Sequence, residues 1–168
     1  MPIDGIKQPN IINIDETLRL RAYDGNFEVA VPWYQDPVVY YFSESITDPA
    51  KMPDADYVKG MFEYMEKRCE SYFIEVKENG KFIPVGDIHL KEPHPPIVIG
   101  VTKYRGVGIG KKVMRAMIAR AKEIGIKKFS TDDVGILEDN IVSRKMVEAL
   151  GFTLVGKIES GLVYELIF

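Results

Sequence analysis

One stretch restricts this chain more than any other. An apolar run, Ile97-Val98-Ile99-Gly100-Val101, leads into Arg105-Gly106-Val107-Gly108-Ile109-Gly110, and that glycine cluster opens directly into a long helical pattern. Val113, Met114, Met117, Ile118, Ala121 and Ile124 share one face of the helix, Lys112, Arg115, Arg120 and Lys122 lie away from it, and Gly125 suits its C-terminal cap. A strand that ends in glycines and restarts as a helix leaves several backbone N–H groups unpaired at the positive end of the helix dipole. Such a junction suits a phosphate, because a Cβ would hold the anion away from those donors and the turn needs positive φ. Lys103, Arg105, Lys111 and Lys112 add positive charge around the same mouth. The glycines equally suit a tight turn or close packing alone, and the residues by themselves leave both readings open.

Two familiar phosphate loops fit poorly. A Walker loop needs Gly, four residues, then Gly-Lys-Ser/Thr, but Arg105 stands where its first glycine belongs and Lys112 replaces the hydroxyl. The dinucleotide fingerprint needs a third glycine where this chain has Val113. Asp132, 22 residues beyond Gly110, keeps a nicotinamide reading open.

The rest of the chain sets the frame for that junction. With 168 residues, 46% of them apolar and 28% charged, one domain over 1–168 with one sizeable core is expected. Twenty-two basic against 25 acidic residues argue against a nucleic-acid surface. A single cysteine, Cys69, excludes an internal disulfide, and with two histidines it gives no convincing zinc spacing, so no metal is expected and Cys69 reads as a buried small hydrophobe. The N-terminal residues lack a charged leader followed by an apolar stretch, and no apolar run reaches the ~20 residues of a membrane span, which points to the cytoplasm and away from a membrane.

Alternation at Leu18 and Leu20 against Arg19 and Arg21 predicts a half-buried strand after a loose start. Pro32 and Pro37 divide the next segment into two short helical pieces, and Val58, Met61, Phe62 and Met65 predict a helix capped by Asp54 or Asp56. Two strand-like runs meet at Asn79-Gly80, a hairpin turn, and the apolar run before the glycines adds a third strand to the meander. After the long helix come a strand around Phe129, a second amphipathic helix with Asp139 or Asn140 at its cap and Gly151 at its end, and a closing hairpin turned at Glu159-Ser160-Gly161. The class is α+β.

At this point the chain resembles the GNAT superfamily of acyl-CoA-dependent N-acetyltransferases. That family's acyl-CoA loop, Gln/Arg-x-x-Gly-x-Gly/Ala, is matched by Arg105, Gly108 and Gly110 between strand and helix. Its second signature is matched by Asn140 at the opening of the next helix and Gly151-Phe152 at the end. Ser143, with "TLRLRAY" and "WYQDP" near the start, looks most like the branch with ribosomal-protein and antibiotic acetyltransferases. The resemblance implies a mixed central sheet of about six or seven strands, mostly antiparallel with a parallel pair at the cofactor cleft, flanked by about four helices, and a possible homodimer.

It also implies chemistry. Acetyl-CoA is the donor and a primary amine the acceptor. Backbone groups from Arg105, Gly106, Val107, Gly108, Ile109 and Gly110, with Lys111, would take the CoA pyrophosphate, and an N–H near Ile99 or Val101 would hold the oxyanion. Many members use a Tyr seven residues after the helix Asn to protonate the thiolate; here that residue is Val147, and Ser143 is the substitute. Ser143 equally suits plain helix packing, and Asn140 a plain cap. For the base, Asp87 and His89 share one strand face, with Glu165 on the last strand a weaker candidate. Trp33, Tyr34, Asp36, Tyr40, Tyr41, Glu44 and the helix beginning near Ala55 would shape the acceptor side, although Trp33 and Tyr40 equally suit the core. A rival expectation is an acyl-CoA-binding module without turnover.

Overall fold

The alternation read at Leu18 and Leu20 forms a strand that is second in a five-stranded antiparallel meander. In the computed structural model, which describes residues 5–168, these strands are β1 (Ile11–Asn13), β2 (Leu18–Ala22), β3 (Glu70–Glu78), β4 (Lys81–Leu90) and β5 (Ile97–Ile99), paired in that order. Asn79 and Gly80 carry the positive φ of a tight hairpin, 49° and 79°, between β3 and β4. A second antiparallel sheet holds β6 (Lys128–Ser130), β7 (Thr153–Ile158) and β8 (Gly161–Ile167) in the order β6-β8-β7. Strand β1 was not legible, since three residues among polar neighbours give no periodicity.

The helices are α1 (Val31–Tyr34), α2 (Pro37–Glu44), α3 (Ala55–Glu66), α4 (Ile109–Glu123) and α5 (Ile141–Ala149). Their starts are chosen by side chains that accept the first free N–H groups: Asp36 for α2, Asp54 rather than Asp56 for α3, and Asn140 rather than Asp139 for α5.

Both faces of the meander are covered. Leu20, Tyr72, Ile74, Ile88 and Leu90 meet Val113, Met114, Met117 and Ala121 of α4, and Phe129 and Tyr164 of the second sheet join that core. On the opposite face Phe73 and Val98 meet Trp33, Tyr34, Val39, Val58 and Phe62 from α1–α3. Phe62 stacks on Tyr23 and meets Phe73 and His89 at an angle, so Phe62→Ala removes the centre of that cluster at a cost of about 3–5 kcal/mol. Gly100 is obligatory here, because a Cβ would fall 2.0 Å from the Trp33 ring.

Arg120, read from the sequence as lying away from the core, is buried. It grips Glu70 through Nε (3.0 Å) and Nη2 (2.6 Å), and Tyr72 donates its hydroxyl to the same carboxylate at 2.7 Å. Truncating one partner would strand the other charge in the core and cost roughly 3–5 kcal/mol.

The two sheets part between β5 and β6. These strands belong to different sheets, so the pair at the cleft is splayed and shares no ladder among the described residues.

Candidate active site

Where the sheets part there is a cleft of about 430 Å3. Ile97 and Val98 of β5 line one side, and Asn140, Ser143, Met146 and Val147 of α5 line another. Glu44, Tyr34, Asp87 and His89 lie toward α1–α3. A larger groove of about 830 Å3 runs between β1 and α4, but its Lys112 and Arg120 are paired with Asp15 and Glu70 and it lies apart from the reactive groups of the cleft.

The glycine junction is open in the way the sequence suggests. Gly106 and Gly108 have φ of 72° and 89°, and nothing lies within 4 Å of a Cβ built on either, so close packing does not explain them. Gly110 differs, since its Cβ would press Met146 Sδ at 3.2 Å. Gly108 caps α4 without a side-chain bond, and its carbonyl accepts from Lys112. Among the described residues, the N–H groups from Gly106 to Lys111 reach no protein acceptor. The expected cradle is shorter by one residue, because the Arg105 N–H donates to Thr102. The Arg105 guanidinium is also committed: it ties Ile99 and Gly100 carbonyls at 2.8 Å each and meets Asp36 at 3.3 Å, anchoring the end of β5 to the start of α2. Lys103 and Lys112 pair with Glu78 and Asp15 on the surface, leaving Lys111 without a carboxylate partner among the described residues.

A β-bulge aims the strand beside the cleft. The β3–β4 register shifts between Ile74 and Glu75, leaving Val85 unmatched, and the Val85 carbonyl accepts from both Gly100 (2.8 Å) and Val101 (3.0 Å). The Val101 N–H is therefore occupied, which removes it from the expected oxyanion pair. Ladder bonds at Gly100 and at Pro96 fix the alternation of β5, so Ile97 and Ile99 direct their backbone groups away from β4 toward the parting.

On α5, Asn140 Oδ1 accepts the Ser143 N–H at 3.2 Å, so Asn140 is a cap. Ser143 lines the cleft one turn before Val147, which is buried.

Asp87 and His89 do share a strand face, but that face is not half-exposed. Helices α1–α3 close it, leaving Asp87 1% and His89 2% exposed. Tyr34 donates its hydroxyl to Asp87 at 3.0 Å, His89 Nε2 lies 3.2 Å from the same oxygen, and Nδ1 meets Ser71 Oγ at 2.9 Å with the Cys69 thiol beyond. The Nε2 contact is off the ring N–H axis, an ion pair rather than a straight hydrogen bond. Burial alone would lower the His89 pKa, but the Asp87 carboxylate, together with Cys69, outweighs it and pushes the imidazole up to about 9. Burial, then Asp87, raises the Tyr34 phenol well above its ordinary value. Cys69 is buried, as expected. Glu165 pairs with Lys128 at 3.1 Å on β8.

Three participants were not singled out by the sequence, although the helix that carries Tyr57 was. Tyr57 of α3 donates its hydroxyl to Glu44, Ser71 supports His89, and His94 meets Asp133 at 3.0 Å at the cleft's far side. Each partner lies far along the chain or across a turn of fold, beyond any local pattern. Among the described residues no helix is long and apolar enough to cross a membrane, and no group of three or more His, Cys, Asp or Glu side chains is disposed to hold a metal ion.

Known proteins are similar to this chain in sequence or in fold. An uncharacterized protein of Methanocaldococcus jannaschii is 30% identical over 148 residues, 84% of this chain, and the chain spans 29% of that relative's length. A crystal structure of a domain from the same organism matches 92% of this chain and all of its own at 26% identity, with a TM-score of 0.75. Microcin C7 self-immunity acetyltransferase, solved with acetyl-CoA and AMP, is 17% identical with a TM-score of 0.71, covering 95% of this chain and 97% of its own. An acetyl transferase of Salmonella typhimurium that modifies the N-terminal serine of a ribosomal protein is 19% identical with a TM-score of 0.68, covering 94% and 99%. The last two likenesses are of fold. The profile of the acetyltransferase (GNAT) family matches residues 33–152, a span that takes in α2–α5, the bulged strand, the open glycine junction and most of the cleft lining, and the chain belongs to that family.

Proposed function

We propose that this chain transfers an acetyl group from acetyl-CoA to a primary amine, on a small molecule or a protein N-terminus, by direct attack within a ternary complex. The observation that carries this reading is a row of unfilled N–H groups, Gly106 to Lys111, whose Gly110 lies against Met146 and Ile97 of the lining of a carboxylate-bearing cleft.

Each residue has a part. The N–H groups and Lys111 take the pyrophosphate, and the exposed backbone edge of Ile97–Ile99 takes the pantetheine arm as an added strand. The Ile99 N–H, turned to the parting, stabilises the oxyanion as the amine nitrogen bonds to the thioester carbon. The C–S bond then breaks, the sulfur keeps the electron pair, and the Ser143 hydroxyl passes it a proton that the former amine has lost. Asp87 and His89 hold the floor of the acceptor side as a neutral ion pair.

Val147 favours a second reading, binding without turnover, since no phenol stands one turn beyond Ser143 to protonate the thiolate. Thiol release from acetyl-CoA over a panel of primary amines decides between them: release that requires both substrates supports transfer, and tight acetyl-CoA binding with no release on any amine supports the binding module. Calorimetry with NAD as a control tests the nicotinamide alternative directly.

A further inference from the structure

The transfer reading leaves one proton without an owner. A primary amine arrives as ammonium and must lose a proton before its nitrogen can attack. The acceptor needs a free lone pair, a place in the cleft and a route to bulk water on which to unload. Asp87 meets only the second condition. Its oxygens accept from Tyr34 at 3.0 and 3.3 Å, its charge is matched by His89, and at 1% exposure it has no contact with solvent.

Glu44 meets all three. It is the last residue of α2, lines the same cleft, is partly exposed, and has no cationic partner among the described residues. Its one hydrogen-bond partner there is the Tyr57 hydroxyl of α3, which fixes one carboxylate oxygen and leaves the other. We propose that Glu44, held by Tyr57 at the mouth of the cleft, receives the ammonium substrate and takes its proton, with Asp87 and His89 serving as the sealed floor beneath it.

The groups that face Glu44 agree with this role. Tyr57 lies on α3, Tyr34 on α1, and Asp87 with His89 on β4, while Lys91 and His94 line the cleft farther on. Burial raises the Glu44 pKa, the Tyr57 hydrogen bond opposes that rise, and the negative charge of Asp87 adds to it. A carboxylate moved upward is a better match to an ammonium proton than an ordinary one. The proton passes from nitrogen to Glu44 and then to water. The nitrogen's second proton leaves after the C–N bond has formed and ends on the thiol, so one proton is released per turnover.

The proposal rests on the transfer reading, and the experiment separates the two. In the first arm, the pH dependence of kcat/KM is measured with acetyl-CoA and three amines: an N-terminal seryl tripeptide, spermidine and lysine ethyl ester. Glu44→Gln should lower kcat/KM by about 100-fold at neutral pH and replace the acidic limb set by Glu44 with one that follows the amine's own pKa, with partial recovery at high pH where free amine accumulates. CoA affinity by calorimetry should not change. Tyr57→Phe should move the acidic limb to higher pH, because the hydrogen bond it removes lowers the Glu44 pKa. In the second arm, carbon-detected NMR of the Glu44 carboxyl, without donor, should show a titration above the ordinary glutamate range that falls when spermidine is added. Wild-type turnover with an unchanged rate and profile in Glu44→Gln would overturn the assignment and leave the transfer reading standing. Tight acetyl-CoA binding with no thiol release on any amine would overturn both.

Discussion

The glycine junction and the acceptor side of the cleft are built in opposite ways. The phosphate end is backbone: a few consecutive residues, Gly106 to Lys111, present their N–H groups, and the nearby side chains of Arg105, Lys103 and Lys112 are spent on protein partners. The acceptor end is side chain: Tyr34, Glu44, Tyr57, Ser71, Asp87 and His89 come from three helices and two strands and depend on one another for position. A backbone site tolerates changes in the chemistry of its neighbours but not the addition of a Cβ with charge. A side-chain site is coupled, and loss of one member is felt as stability, pH response and specificity together.

The largest expected effect falls on the backbone end. Gly108→Asp places a carboxylate where the pyrophosphate belongs and forces a Cβ onto a φ of 89°, with open space around it. Acetyl-CoA affinity by calorimetry should fall at least ~1,000-fold, about 4 kcal/mol, while the melting temperature moves only by the strain of about 1–2 kcal/mol. Unaltered affinity would mean that the junction is not the phosphate site.

Asp87→Asn tests the coupled end, and its effect belongs to stability. His89 binds its proton more tightly folded than unfolded, so the pair stabilises the fold fully below a pH of about 6.5 and loses that contribution as pH rises through about 9. Wild-type stability by urea titration should therefore decline across that window by roughly 3 kcal/mol. Asp87→Asn should lower stability at pH 6 by roughly 3–5 kcal/mol and flatten the slope. A slope that survives the substitution would show that another group sets it.

Ser143→Ala sits between the two ends. It should reduce kcat by about 10- to 100-fold with little change in the KM for acetyl-CoA, since the hydroxyl serves proton transfer rather than binding. A wild-type kcat would return Ser143 to the role of helix packing. Least affected should be Lys112→Ala. Its ammonium is exposed and paired with Asp15 at 2.8 Å, so acetyl-CoA affinity should change less than about threefold. A larger loss would mean that the cation leaves Asp15 for the ligand and that the phosphate end is less purely backbone than described.

Legibility follows the same division. Strand-glycine-helix, the hairpin at Asn79-Gly80, the Asp54 and Asn140 caps and the alternation that puts Asp87 beside His89 are all local, fixed by residues a few positions apart. Arg120 defeated the same reasoning. On its own helix it looks solvated, and only Glu70 and Tyr72, some fifty positions earlier, give it a buried partner. The face bearing Asp87 and His89 looks half-wet for the same reason, because nothing within β4 shows that α1–α3 will cover it.

By itself, the amino-acid sequence determined that this chain would carry a glycine-gapped junction with free N–H groups, since positive φ and helix dipoles arise from neighbours in the chain. Tertiary structure alone decided which carboxylates are sealed and which are free. Solvation and charge pairing depend on what other segments bring to within a few ångströms, and there Asp87 met His89 and Tyr34 while Glu44 met only a hydroxyl.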